Sequence, residues 1–271
     1  MRRLNKFLAL SLALVLVLGL AACGDSFESA MVRAAKEMQE VESVHVDMAL
    51  DMGFGLDVLG ETGNVDVSVD MGMDTAGDLT SGELTMTLFS IPVTVTYISQ
   101  KNGETYDFYV SMDGGSTWET QTGLTEADLS SGNGAAFGSD AGDMVGFYLE
   151  FASSFGEAVD ETAGGTDCRR YDGSFPGDKL TEALSLSGGS DFANIPEGTV
   201  LPDAPTSIWL DKSSGLPRRI SLEMTDAMGQ YMTGILSESG VSGDLVSVTS
   251  VIVTVDLSEF NAVTPMTPPA V

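Results

Sequence analysis

The clearest pattern in the chain is a long two-residue alternation. Val46, Met48, Leu50, Met52, Phe54, Leu56 and Val58 are apolar, and between them stand His45, Asp47, Ala49, Asp51, Gly53, Gly55 and Asp57. Val65, Val67, Val69, Met71 and Met73 alternate in the same way with Asn64, Asp66, Ser68, Asp70, Gly72 and Asp74. Successive side chains on a strand point to opposite faces, so each run predicts a long half-buried strand, coiled or bent at its glycines. Ahead of them, Phe27, Ala30, Met31, Ala34, Met38 and Val41 recur at helical spacing, with Glu28, Arg33, Lys36, Glu37 and Glu40 mostly on the other side. That spacing predicts an amphipathic helix of about four turns.

Further strands are predicted at 83–89, 93–99, 104–112, 117–121, 207–211, 218–225 and 245–257, the last with a bulge where its alternation changes phase. A second amphipathic helix is predicted over 143–159, with Met144, Val145, Phe147, Tyr148, Phe151, Ala152 and Phe155 as its apolar set. A short helical turn is predicted near 178–184, and loops at 130–142, 161–167 and 186–206. Helix, run of strands, helix and more strands define an α+β class: one large, curved antiparallel sheet with a few helices against one face. Two domains with a seam between 160 and 206 are an alternative, but each piece would then leave an unpaired sheet edge, which favours one domain.

The N-terminus has a different character. Arg2, Arg3 and Lys6 precede an apolar run over 7–20, followed by Leu20-Ala21-Ala22-Cys23 and the polar Gly24-Asp25-Ser26. The apolar run is short for a membrane span, and Leu-Ala-Ala-Cys is a close match to the bacterial lipobox, at which Cys23 is diacylated and becomes the new N-terminus. The expected organisation is a signal peptide over 1–22, the lipidated Cys23 with a short linker to 30, one domain over 31–263 and a proline-rich, irregular tail over 264–271. Two acyl chains give lasting attachment. The expected location is the outer face of the cytoplasmic membrane, or the outer membrane of a diderm host.

Charge narrows the partners. The whole chain has 271 residues with 12 basic and 40 acidic side chains. Removing the first 22, which hold three bases and no acid, leaves 249 residues and a balance of −31. Nucleic acid is excluded, because phosphate binding rests on clustered Lys and Arg. Electrostatic docking on anionic lipid is excluded too; within a Debye length of about 8 Å such a body is repelled while the anchor holds. With one His and few convergent bases, little material remains for acid–base or nucleophilic catalysis, so an enzyme is not expected and no cofactor is implied. A monomer is expected. With Cys23 acylated, Cys168 has no disulfide partner and reads as a small hydrophobe.

Two segments carry a family resemblance. The helix ending Met38-Gln-Glu-Val41-Glu-Ser-Val44-His45 runs into the long alternating strand, and Pro205-Thr-Ser-Ile208-Trp209-Leu210-Asp211-Lys212-Ser-Ser-Gly215-Leu216-Pro217-Arg218-Arg219 reads as strand, hairpin and return strand. With the lipobox, these resemble the LolA/LppX-like superfamily of exported lipoproteins. The resemblance implies an open half-barrel sheet enclosing an apolar cavity, helices on its concave face acting as a lid, and acyl chains as ligand. It brings no catalytic residues with it. No ligand-binding motif of the family maps onto single residues here; the apolar positions of the predicted elements make Met48, Leu50, Met52, Phe54, Val67, Val69, Met71, Met86, Phe108 and Val110 the expected lining of such a cavity, with Phe147, Phe151 and Phe155 as lid or plug. A surface interaction protein with the same sheet and a filled core is the alternative.

Other motifs read as structure. Met48, Met52, Met71, Met73, Met86, Met112 and Met224 are placed on the apolar side of predicted strands, where flexible thioethers suit variable acyl chains or fill a curved core. Asp47, Asp51, Asp57, Asp66, Asp70 and Asp74 line a strand face and do not converge as calcium ligands must. Ser111-Met-Asp113-Gly-Gly115-Ser-Thr117-Trp118 matches an Asp-box, a hairpin-stabilising device. His45 alone is no metal site. The pairs Arg169–Arg170 and Arg218–Arg219 are expected to answer neighbouring acids.

Overall fold

A computed structural model describes residues 26–58, 61–125, 128, 151–180, 201–238 and 245–269. Cys23, Phe147 and the predicted helix before residue 151 lie outside the described residues. Eleven strands, β1 (Ser43–Val58), β2 (Glu61–Ala76), β3 (Leu79–Leu88), β4 (Ile91–Asn102), β5 (Thr105–Ser111), β6 (Glu119–Leu124), β7 (Val159–Ala163), β8 (Thr166–Phe175), β9 (Ala204–Asp211), β10 (Pro217–Glu223) and β11 (Val246–Ser258), join in one sheet. Their order is β6-β5-β4-β3-β2-β1-β11-β10-β9-β8-β7, and among the described residues β6 and β7 are the outermost strands. Every pairing is antiparallel. This is the expected α+β class, an open half-barrel sheet carrying few helices.

The first and last strands of the domain meet at its centre. β1 pairs with β2 from Ser43 opposite Ala76 to Val58 opposite Glu61, and on its other side with β11. Gly53 faces Ser250 but Phe54 faces Val248, so Thr249 is the extra residue of a bulge. The bulge leaves Val246 and Val248 on the same face as Val251, Val253 and Val255 despite the change of phase in the sequence. A Cβ on Gly53 would lie 2.5 Å from Thr249 Oγ1, so glycine is what the bulge admits there.

Helix α1 (Phe27–Met38) is capped by Ser26, whose hydroxyl accepts the Ser29 amide at 3.3 Å. Its stripe of Phe27, Ala30, Met31 and Ala34 is buried. A second helix, α2 (Thr225–Glu238), occupies a region where the sequence reading placed only the end of a strand at 225. The predicted helix over 143–159 is corrected at its C-terminal end: Ala152–Ser154 is a single 3₁₀ turn, and the chain is extended into β7 from Val159. Likewise the loop expected over 161–167 is the tight β7–β8 hairpin. One apolar cluster joins α1, the 3₁₀ turn and α2 to β8, β9 and β11, with Tyr171, Ile208 and Val251 fully buried.

The irregular tail is tied down. Asn261 and Glu42 exchange bonds with the start of β1 (Asn261 N to Ser43 O, 2.8 Å; Glu42 N to Asn261 Oδ1, 2.6 Å), and Met266 N donates to Ser81 Oγ at 2.9 Å. Ser81, Ile98 and Tyr109 stand opposite one another in register and are buried, so the tail lies on the face they share.

The β9–β10 hairpin is organised by Asp211, whose residue is 4% exposed. Its Oδ1 accepts Ser213 N (2.7 Å), Ser213 Oγ (2.6 Å) and Ser214 N (3.2 Å), and its Oδ2 accepts Arg218 Nη2 (3.0 Å). Gly215, at φ +78°, closes the turn. Burial alone would raise the carboxyl pKa, but the bonds from Ser213, Arg218 and Ser214 outweigh it and hold the group well below its ordinary 3.8. A depressed carboxylate stabilises the fold above its unfolded pKa and loses that contribution as pH falls through the folded one. Asp211→Ala should therefore cost about 3 kcal/mol at pH 7, since it leaves Arg218 unpaired. The variant's urea midpoint should also fall less steeply below about pH 4 than that of the wild type. Equal midpoints would remove Asp211 from this role.

Candidate ligand-binding face

Register assembles one continuous apolar face. Met48 stands opposite Met71 and Val255, Leu50 opposite Val69 and Val253, Met52 opposite Val67 and Val251, and Phe54 opposite Val65 and Val248. Beyond β2, Val69 faces Met86 and Met71 faces Leu84. Met86 in turn faces Val93, and Val110 faces Tyr97. All ten lining residues selected from the sequence thus lie on one side of β1, β2, β3 and β5, and their alternate neighbours lie on the other.

Helices divide this face into two parts. Over β8–β11 and β1 it is covered: Leu50, Met52 and Phe155 pack against the apolar cluster beneath α1 and α2. Phe151 is buried edge-on against Phe175 at 4.6 Å, and Phe155 stacks on Phe27 at 3.9 Å. Both phenylalanines are fixed in packing of interior quality. Over β2–β5 the face is more open. Met71 is buried, Val67, Val69, Phe108 and Val110 are half-buried, and Met86 and Val93 are 46% and 47% exposed. Phe108 stacks beside Tyr97 at 6.3 Å.

The sequence reading missed three contributors to this open part, Leu84, Val93 and Tyr97. The alternation Val93, Val95, Tyr97 was the available signal. Two methionines are corrected: Met112 lies exposed just past β5, and Met224 precedes α2 within the core, so neither faces this surface from a strand.

The opposite face is acidic. Asp47, Asp51, Asp66 and Asp70 are exposed along β1 and β2. They surround small residues: Ala49 and Gly72 floor a depression of about 260 Å³ rimmed by Asp47, Asp70, Glu83 and Asp256. Among the described residues, no three His, Cys, Asp or Glu side chains are grouped to hold a metal ion. Three arginines answer acids. Arg219 pairs with Asp256 (Nε to Oδ1, 2.6 Å), Arg218 with Asp211, and Arg170 with Glu161 and Asp172. Asp113 likewise serves its turn. It accepts Thr117 N at 2.8 Å and Thr117 Oγ1 at 2.7 Å, which lower its pKa to about 2. Trp118 Nε1 closes on Gly115 O at 3.0 Å.

No family model matches the chain, and no curated protein matches it. Solved structures with a similar arrangement exist. The chain is similar to the lipoprotein LppX of Mycobacterium tuberculosis at 12% identity and a TM-score of 0.45, over 88% of this chain and 96% of that one. It is also similar to a putative outer membrane lipoprotein-sorting protein domain from Vibrio parahaemolyticus, at 11% identity and 0.22 over 84% and 88%. A LolA superfamily protein from Nitrosomonas europaea aligns at 10% identity and 0.21 over 92% and 96%.

His45 reports on the acidic face directly. Its Nδ1 lies 2.6 Å from Asp74 Oδ1 and its Nε2 3.1 Å from Asp47 Oδ2. Partial burial opposes protonation, but the two carboxylates prevail and raise the pKa above 6.5. A raised histidine stabilises the fold below its unfolded pKa, and that stabilisation is lost as pH rises through the folded value. As the chain has one His, its ring protons give a single titration by NMR. The midpoint should lie above 6.5 and should drop in Asp74→Asn; a midpoint at or below 6.5 would contradict this geometry.

Proposed function

We propose that the protein is a membrane-anchored bacterial lipoprotein without enzymatic activity, which holds a lipid or other apolar ligand against the open part of its half-barrel face. One observation carries this reading. The apolar face runs on past the helix-covered core to β2–β5, where Met86 and Val93 stay 46% and 47% exposed while the charged positions turn to the other side. An acyl chain laid over Val67, Val69, Met86, Phe108 and Val110 would meet mostly apolar atoms and no charged side chain, with the Tyr97, Ser99 and Thr80 hydroxyls at one end. Covering ten methylenes is worth about 8 kcal/mol before the cost of immobilising the ligand. Methionine adapts to chains of different length and unsaturation. The lipobox at Leu20–Cys23 supports the anchor and the envelope location.

The packing of Leu50, Met52, Phe151 and Phe155 into the core favours a second reading in part, an interaction module whose concavity is filled. Binding separates the two. Met86→Arg and Thr94→Arg place the same charge on opposite faces of the β3–β4 hairpin at exposed positions, so both variants should fold. Met86→Arg should weaken uptake of a fluorescent phospholipid by about tenfold or more, because a cation must be desolvated beneath the acyl chain. Thr94→Arg should bind as the wild type does. Equal binding by the two variants would remove this face as the site.

A further inference from the structure

The β3–β4 hairpin differs from the rest of the molecule in charge. From residue 84 to residue 100 there are 17 residues without a charged side chain, between Glu83 and Lys101. One in five residues after the signal is charged, and no other stretch of the mature chain escapes charge for so long. At its tip both faces are bare of charge: Met86, Leu88, Ile91 and Val93 on one, Thr85, Thr87 and Thr94 on the other, with Thr85 and Thr94 hydroxyls 2.9 Å apart. Among the described residues, Phe89 and Ile91 are the most exposed large hydrophobics, at 67% and 66%.

The turn is built to present them. Leu88 pairs with Ile91, so Phe89 and Ser90 form a two-residue loop, at φ 50° and 64°. Asn-Gly would close such a turn with less strain. A phenylalanine is not what the turn itself requires there. β5 pairs with β4 only from Thr96 onward, which leaves Ile91–Val95 as an outer edge, and Pro92 removes one donor from that edge.

We infer that this hairpin tip inserts into the interfacial region of the lipid bilayer that carries the anchor. The inference rests on the lipoprotein reading above. Two residues separate Cys23 from Ser26, the cap of α1, and three residue steps reach about 10 Å at most, so an acylated chain is held close against the bilayer. Arg33, in the second half of α1, lies against Gly215 in the β9–β10 turn, at the end of the sheet where β1 begins, whereas Phe27 at its start packs on Phe155 and Tyr171, so the N-terminus of α1 is displaced toward the opposite end. The β3–β4 turn lies at that opposite end, since β3 begins beside the end of β2, opposite Ser43. A body of −31 is repelled by anionic headgroups, and an uncharged apolar tip is the part that enters a bilayer without that penalty.

The test uses the full chain, exported, purified in detergent and reconstituted into phosphatidylcholine vesicles. Ser90→Cys supplies one reactive thiol for an environment-sensitive fluorophore, because Cys168 is fully buried. Ser116→Cys, in the exposed β5–β6 turn, is the control. The Ser90 probe should shift to the blue and lose most of its emission in proportion to the fraction of brominated lipid, and the Ser116 probe should do neither. Adding Phe89→Asp and Ile91→Asp should abolish the shift. A Ser90 probe that stays aqueous overturns the proposal. So does one shielded from water but unquenched, which indicates a protein or a second copy, and so does quenching that survives extraction into detergent, which indicates a lipid held by the protein. The mass of the purified chain reads the anchor separately. A chain without diacylglyceryl defeats the lipoprotein reading, and absence of quenching on vesicles added to that chain defeats the insertion as well.

Discussion

The pairing of β1 with β2 on one side and β11 on the other decides the character of every other surface. Along β1 the period is two, so a slip of one residue would turn Met48, Leu50, Met52 and Phe54 to the acidic side and Asp47 and Asp51 to the apolar one. Burying those carboxylates would be costly, and Arg170, Arg218 and Arg219 are already paired with other acids of the sheet. The register is therefore held by both faces at once. The β11 bulge at Thr249 is the one adjustment needed to keep its valines in line with β1.

From that central pair the sheet spreads into two halves with different uses. Toward β7 the apolar face meets α1, α2 and the 3₁₀ turn, and becomes an ordinary core. Toward β6 the same face continues with no described helix packed on it. Leu50 and Val69 are register partners, yet Leu50 belongs to the packed cluster and Val69 to the open surface. An apolar ligand placed beside Val69 would extend the core and not require a separate pocket. On the acidic face, His45 and the tail bonds to Ser43 and Ser81 close the end of the sheet where β1 starts.

Much of this was legible from the chain alone. β1, β2 and the phase change of β11 show in the alternation, and α1 shows in its 3.6-residue stripe. α2 was missed although Met224, Ala227, Met228 and Tyr231 have helical spacing, because Gly229 and Gly234 argue against a helix interior and tertiary packing overrides them. β8 was missed for the reverse reason. Cys168 is buried on one face under Trp209 and Tyr171 on the other, so its apolar positions do not follow a period of two. Phe151 and Phe155 are four apart and imitate a helix, but each is placed by a distant partner, Phe175 and Phe27. The candidate face was readable residue by residue on β1 and β2. Its division into covered and open parts was not, because that depends on where the helices come to rest.

The central claim is that the open apolar face carries a lipid. Native mass spectrometry of the exported full-length protein, followed by solvent extraction and mass analysis of the extract, tests it most directly. The account predicts a stoichiometric non-covalent lipid in addition to the covalent diacylglyceryl at Cys23, with the non-covalent species lost in Met86→Arg. A protein carrying the anchor alone, with an extract free of lipid and no uptake when lipid is supplied, would contradict it.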